Sequence, residues 1–513
     1  MRRPAQRSRR AQVRRPVRKP TSVAELCDTL LSLEAERKLL ELELRGVALW
    51  SLLRMPVYYE LTRALGLFDA PHGSSRWRGR ALKKALLWSY ASLKSLLSVR
   101  RPRDLLIFDH TRKVQVGEGY IDIYTHPLIC SLMEAERAGE LSFEVYEYLS
   151  YQSERASGRE RARRYTDLLI SGAKLWARLT PIRLTPEERA TLKTLEDALE
   201  ERVGVRLELT QRSAGLLRAF ELMKRRFHQL LKAHRPRVVI SVVSYVHSMS
   251  ALTEAARGLG IETIELQHGT FSPYHLGYHY PDQEAPAPYS TDYLFTFGDF
   301  WREAATLPFK PDQVKVYGFG HLHSRLSGVA QSQTREREVL FLSQGVISAP
   351  LVAYAVALAE ANRARHLGLT ITYKLHPSEY TTWRSSLPAL SSSARGGALS
   401  VIDQQSPSLY ELMSRAHWQV GVFSTALYEG LTLGCQTILV DLPGVEYMER
   451  LIDEQVVGFV TTHDELIEHI SRSILDTQSA HDASPPNELG EARFFAPPND
   501  ETTRWLIERA RSH

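Results

Sequence analysis

GIETIELQHGT (260–270) and GLTITYKLHP (368–377) decide the fold of this chain. Each opens on an apolar, β-branched run and closes on a histidine, His268 or His376, followed by Gly or Pro. Each therefore puts its histidine at or just past the C-terminal end of an expected strand. Open parallel α/β sheets bind ligands outside the carboxyl ends of their strands. Two such histidines, about a hundred residues apart in separate βα segments, imply two halves facing one cleft. A third string, GVFSTALYEG (421–430), runs from a strand into a helix through Ser424–Thr425. Helix N-terminal N–H groups with two hydroxyls beside them suit a phosphate.

Around these strings strands and helices alternate. DLLIFDH (104–110), VVISVVSY (238–245), YLFTFG (293–298) and VKVYGFG (314–320) read as strands of a first lobe. The pattern restarts at VLFLSQG (339–345) and continues through ALSVID (398–403), WQVGVF (418–423) and QTILVDL (436–442). The expected fold class is α/β: two Rossmann-like, doubly wound lobes facing a cleft, with an N-terminal helical extension. The expected division is a basic tail (1–20), a helical region (21–103) and a first lobe (104–330) with a helical insertion at about 140–235. A second lobe (336–480) and a C-terminal loop and helix (481–513) follow. Residues 326–338 read as the linker, and Pro56 as a kink or break in the second helix.

The net charge of +6 sits in the tail: residues 1–20 hold eight Arg and one Lys and no acid. Without them 65 − 9 = 56 basic residues face 59 acidic ones, a net of −3. A near-neutral body argues against nucleic acid as a partner. Residues 76–103 carry nine Lys or Arg, no acid and a broad leucine stripe. That pattern fits a membrane-surface helix, or a helix packed on its own domain with solvated cations. No run of ~18 apolar residues occurs, and the start lacks the apolar core of a secretory signal. Cys27, Cys130 and Cys435 lie far apart without metal spacing. The expected location is cytoplasmic, with peripheral contact at the inner face of the membrane open. P-loop, dinucleotide-glycine, HExxH and GxSxG motifs are absent, as is an Asp-x-Asp metal loop. No metal and no cofactor are expected.

His268 can take a proton from a hydroxyl near neutral pH, or simply hold its loop. Lys374 and His376 fall on one face of a strand end and can form a cationic pair, or a plain strand terminus. Ser424 and Thr425 can hold a phosphate or merely cap a helix. Glu429 can take ribose hydroxyls or complement the helix dipole.

As a set, QHGT, VLFLSQG, YKLHP and FSTALYEGLTLGCQTILVD, within roughly 236–450, resemble the bacterial capsule and surface-polysaccharide glycosyltransferases of the GT-B fold. The likeness is to CMP-sugar users: capsule Kdo transferases and sialyl- or polysialyltransferases. The His-Gly-Thr element also resembles CDP-glycerol glycerophosphotransferases, where that histidine is thought to act as base. The resemblance implies transfer of a sugar, with a nucleotide-sugar as co-substrate, to a glycan or lipid-linked glycan. It places Lys374, His376, Pro377, Ser424, Thr425, Glu429 and Gln344 in the donor site. His268 becomes the base or a leaving-group contact, with Gln267, Gly269 and Thr270 beside it. Sialyltransferases use an aspartate base, for which Asp109 is the positional candidate. A non-catalytic assembly subunit on the same fold is the third possibility.

Overall fold

The computed structural model describes residues 19–69, 90–95, 97–98, 100–111, 113–116, 119–148, 162–326, 335–479 and 493–511. Most of the basic tail, residues 76–89, 96 and 99 of the basic segment and most of the linker lie outside them.

The first lobe is one parallel sheet. Its strands are β1 (Leu105–Asp109), β2 (Phe143–Glu147), β3 (Arg163–Tyr165), β4 (Val238–Val242), β5 (Glu262–Leu266), β6 (Tyr293–Thr296) and β7 (Val314–Val316). Their order is β7-β6-β5-β4-β1-β2-β3. Every residue of β1, β2 and β4 is buried, because helices cover both faces of the sheet. The second lobe holds β8 (Glu336–Leu342), β9 (Thr370–Lys374), β10 (Ser400–Ile402), β11 (Ala416–Gly421), β12 (Gln436–Val440) and β13 (Gly458–Val460). Their order is β10-β9-β8-β11-β12-β13, again all parallel. In both lobes the first strand lies beside the fourth, and the winding reverses there. The two lobes are thus doubly wound and Rossmann-like, each with a switch point at the carboxyl ends of its first and fourth strands.

The segment expected as a helical insertion at about 140–235 first contributes β2 and β3 before its helices begin. FEVYE (143–147) carries two glutamates in a strand buried along its whole length. Glu144 is compensated by Arg103 (3.5 Å) and Arg164 (3.4 Å), and Glu147 by Lys113 (3.5 Å). Helical segments then run Asp167–Leu179 (α3 below), Pro186–Val203 and Leu209–His234. Thr185 opens the second of these with a capping box to Glu188.

Two N-terminal helices, α1 (Val23–Arg37) and α2 (Leu49–Ala64), lie across both lobes. Ser22 caps α1 by accepting from the Glu25 N–H. On the second-lobe side, Val23 N–H donates to Glu446 (3.0 Å), Tyr58 and Tyr447 share a hydroxyl hydrogen bond, and Asp69 N–H donates to the Val346 carbonyl. On the first-lobe side, Arg54 reaches the Leu276 carbonyl and Cys27 Sγ donates to the Tyr274 carbonyl. At Pro56, expected to kink or break the helix, α2 runs through without a break. Proline cannot bond the carbonyl four residues back. The His247 ring takes that Leu52 carbonyl instead, at 2.8 Å.

After β13 and the helix His463–Ser479, the last described stretch returns to the first lobe. The Ala496 N–H donates to Phe297 and the Phe319 N–H to Ala496. Helix α5 (Asp500–Arg511; α4 is introduced below with the site) pairs Arg509 with Glu262.

Candidate active site between the lobes

β5 delivers Glu265 through Thr270 to the cleft. Gln267, a candidate site residue, is buried and structural: its Oε1 accepts from Phe297 N–H (2.8 Å) and its Nε2 donates to the Gly269 carbonyl (2.7 Å). It ties the loop to the end of β6 and turns His268 outward. His268 is half-buried within a wall of rings. His110, Tyr124, Tyr245 and Tyr278 have centroids 6.1, 6.4, 6.0 and 5.9 Å from it. Its Nδ1 lies 3.0 Å from the Tyr278 hydroxyl. That hydroxyl donates to Glu265 Oε1 at 2.5 Å, and Ser244 N–H donates to the same oxygen at 2.9 Å. The N–H is aimed by Val243, at the end of β4, whose φ is +62°. A β-branched residue there is an outlier that costs of order 1–3 kcal/mol. Burial pushes the Glu265 carboxyl above its usual range, against the hydrogen bonds from Ser244 and Tyr278.

Across the cleft, β11 leads into α4 (Thr425–Thr432). Ser424 is its N-cap, accepting from Ala426 N–H at 3.2 Å. Behind it Gln419 braces the helix from within, donating to the Leu427 carbonyl and to Thr437. The two lobes meet here: a Cβ placed on Gly269 would stand 3.8 Å from Thr425 Oγ1. The QHGT loop of the first lobe and the FST turn of the second are therefore in contact. Thr270 continues that loop, half-buried.

The loops after β8 and β9 are bound together. Glu379, buried, accepts from Ser348 Oγ (2.5 Å) and from the His376 N–H (2.7 Å). Ser348 also bonds the Gln344 carbonyl. His376 Nδ1 meets Ser378 Oγ at 2.7 Å, and Pro377 is exposed beside it. Gln344 is half-buried in the β8 loop, at the second lobe's switch point.

Two expected roles fail on geometry. Lys374 does not pair with His376: its ammonium turns to the Tyr380 hydroxyl (2.8 Å) and the Gln404 carbonyl, beyond β10. Burial lowers its pKa to about 8, opposed by Asp403. Asp109 does not open onto the cleft. Its carboxylate has no exposed surface and is held by Arg163 (2.8 Å), Lys113 (3.4 Å) and Thr125 Oγ1 (2.6 Å). Despite burial, those cations keep it below the usual carboxylate range, the wrong direction for a base. Glu429 lies farther along α4, 8% exposed and hydrogen-bonded by the buried Tyr410. The Tyr410 ring stands 5.9 Å from His321 of the first lobe.

Tyr278, Glu379 and Tyr410 escaped the sequence reading. None belongs to a recognisable string, and only the packing brings them to the cleft.

No family model matches the chain, and no curated protein does. Among solved structures it is similar to the UDP-GlcNAc 2-epimerase of Neisseria meningitidis bound to UDP-GlcNAc. That match has 14% identity and a TM-score of 0.45, over 79% of this chain and 98% of that one. It is also similar to the glycotransferase of kitacinnamycin, at 10% identity and a TM-score of 0.43, over 80% and 100%. A third is the putative UDP-N-acetylglucosamine 2-epimerase of Listeria monocytogenes, at 13% identity and a TM-score of 0.42, over 80% and 95%. Likeness at this level concerns the path of the chain alone.

Proposed function

We propose that the protein is a glycosyltransferase: it moves a sugar from a nucleotide donor held by the second lobe to a hydroxyl of an acceptor held by the first. The observation that carries this reading is the contact of the His268–Gly269 turn with Thr425, at the carboxyl ends of strands of two facing lobes. In the proposed reaction His268 Nε2 takes the acceptor proton. The acceptor oxygen then bonds the anomeric carbon, and the bond from that carbon to the donor phosphate breaks. The departing phosphate faces the N-terminus of α4 and the Ser424 and Thr425 hydroxyls, which stabilise its charge without moving. His376, Pro377 and Gln344 flank the nucleotide, and Glu429 with Tyr410 lies toward the ribose.

The finer assignment follows the sequence resemblance: a CMP-linked donor, Kdo- or sialic-acid-like, and a capsule or other surface glycan as acceptor. A second reading on the same fold is a glycerol- or ribitol-phosphate transferase using a CDP-linked donor. The burial of Asp109 favours it, because His268 is then the base-type side chain at the meeting of the lobes. Calorimetric titration with CMP, CDP, UDP and GDP is expected to show the cytidine forms binding best. A preference for UDP, or no binding, removes the cytidine assignment. CMP release from a CMP-sugar, against release from CDP-glycerol, separates the two donors.

For a lipid-linked acceptor we propose peripheral docking on anionic membrane. No helix among the described residues is long and apolar enough to cross a bilayer. The support is α3, whose inner face buries Leu169, Ile170, Ala173 and Ala177. Its outer face leaves Leu175, Trp176 and Leu179 52–68% exposed, beside exposed Lys174 and Arg178. No acid occurs between Asp167 and Glu187. Ser92 Oγ accepts from Leu168 N–H, bringing exposed Tyr90, Leu93 and Leu97 to the start of the same helix. Basic residues near an anionic surface contribute up to ~1 kcal/mol each, less in salt. Co-sedimentation with phosphatidylserine vesicles should weaken with salt, and should fall when Trp176 and Leu179 become Ser in a chain lacking residues 1–18. Unchanged binding in that variant refutes docking through α3.

A further inference from the structure

The imidazole of His268 is turned by groups that the reaction above leaves unused. Glu265 is the last residue but one of β5, with 1% of its surface exposed. An ionised carboxylate only accepts, and one of its oxygens collects two donors, the Ser244 N–H and the Tyr278 O–H. An O–H to carboxylate distance of 2.5 Å is that of a charge-assisted bond, so the phenolic proton belongs on the Glu265 side. Tyrosine has one proton to give. The 3.0 Å contact between the Tyr278 oxygen and His268 Nδ1 must then be made by an Nδ1–H.

We propose that Tyr278 is a positioning residue that couples the buried Glu265 carboxylate to His268, fixing the Nδ1–H tautomer and so placing the basic lone pair on Nε2. The proposal rests on the reading of His268 as the base and names what prepares it for that role. The carboxylate also stabilises the imidazolium formed when Nε2 takes the acceptor proton, through a hydroxyl that need not move. The strained Val243 has a purpose in this arrangement: it aims the Ser244 N–H at Glu265 and holds the carboxylate against Tyr278. The other titratable groups facing the ring are His110, from the loop after β1, Tyr124, before the helix at 126–137, and Tyr245, after β4. A proton on Glu265 Oε1 would turn the Tyr278 bond round, the carboxyl O–H donating to the phenol and the phenol O–H to Nδ1, which leaves the ring proton on Nε2, so activity should fall on the acid side as this carboxyl titrates.

The test reads the tautomer directly, without substrate. In the full chain labelled with ¹⁵N-histidine, the His268 signals at a pH where the ring is neutral should report a protonated Nδ1 and an unprotonated Nε2. Tyr278→Phe should abolish that preference, and Glu265→Gln should reverse or mix it, with thermal melts confirming that each variant is folded. Where turnover is measurable, Tyr278→Phe should lower kcat by roughly ten- to a hundredfold with KM little changed, and should move the acid limb of the pH profile. A wild-type ring protonated on Nε2 would overturn the proposal. So would an unaltered tautomer and pH profile in folded Tyr278→Phe. If His268→Ala retains turnover, the base reading fails on its own, and the tautomer measurement still decides the coupling.

Discussion

His268→Ala should cut turnover by ~10²–10⁴-fold and leave donor affinity nearly unchanged. At 1.36 kcal/mol per decade that is about 2.7–5.5 kcal/mol of transition-state stabilisation. The effect should be large because the carboxylate weighed for the same role and the histidine behind Tyr278 are not poised for it. Asp109 is held by Arg163 and Lys113, and burial pushes His275, behind Tyr278, down to about 4. The effect should fall on kcat because His268 belongs to the first lobe, whereas the groups proposed for the donor phosphate belong to the second. Collapse of donor affinity with turnover of bound donor intact would make His268 a binding residue. If neither changes, it only supports its loop.

Glu34→Ala should lower the stability of the chain by about 3–5 kcal/mol, the usual cost of leaving a buried charge without its partner. Arg54 and Glu34 form a bidentate pair under α1 and α2, with side chains 4% and 0% exposed. Glu34 also accepts from the Trp50 indole at 2.7 Å. Removing it strands a guanidinium that keeps the Leu276 carbonyl and the face of Tyr280, 4.7 Å away. Because these helices touch both lobes, the loss should appear in the first transition of a urea titration. A change below about 1 kcal/mol would mean that those remaining contacts satisfy Arg54.

The two-lobed fold was legible because parallel strands covered on both faces are written as apolar or β-branched runs, and VVISV and QTILV keep that signature. FEVYE does not. Its glutamates are neutralised by Lys113, Arg103 and Arg164, whose proximity depends on strand order and not on spacing in the chain. The same limit governs the site. Strand ends can be located from sequence, so His268, His376 and Ser424–Thr425 were found at the carboxyl edges of their sheets. Which way a side chain leaves a strand end cannot. Lys374 and His376 share a period-two face, yet Lys374 is drawn to Gln404 beyond β10 and His376 to the β8 loop. Asp109 was attractive by position, although Lys113 four residues later was already a warning. Tyr278 lies ten residues past His268, after a turn that no periodicity anticipates, and only the fold returns its hydroxyl to the imidazole.

The central claim is that the nucleotide donor is held by the second lobe with its phosphate where the FST turn touches the QHGT turn of the first lobe. Hydrogen exchange of the full chain, with and without saturating CMP, tests it most directly. The account predicts that the amides of 268–270 and 424–427 slow together, with the loops at 344–346 and 376–379 following. Protection confined to one lobe, protection at a surface away from these turns, or no change under saturating nucleotide would contradict it.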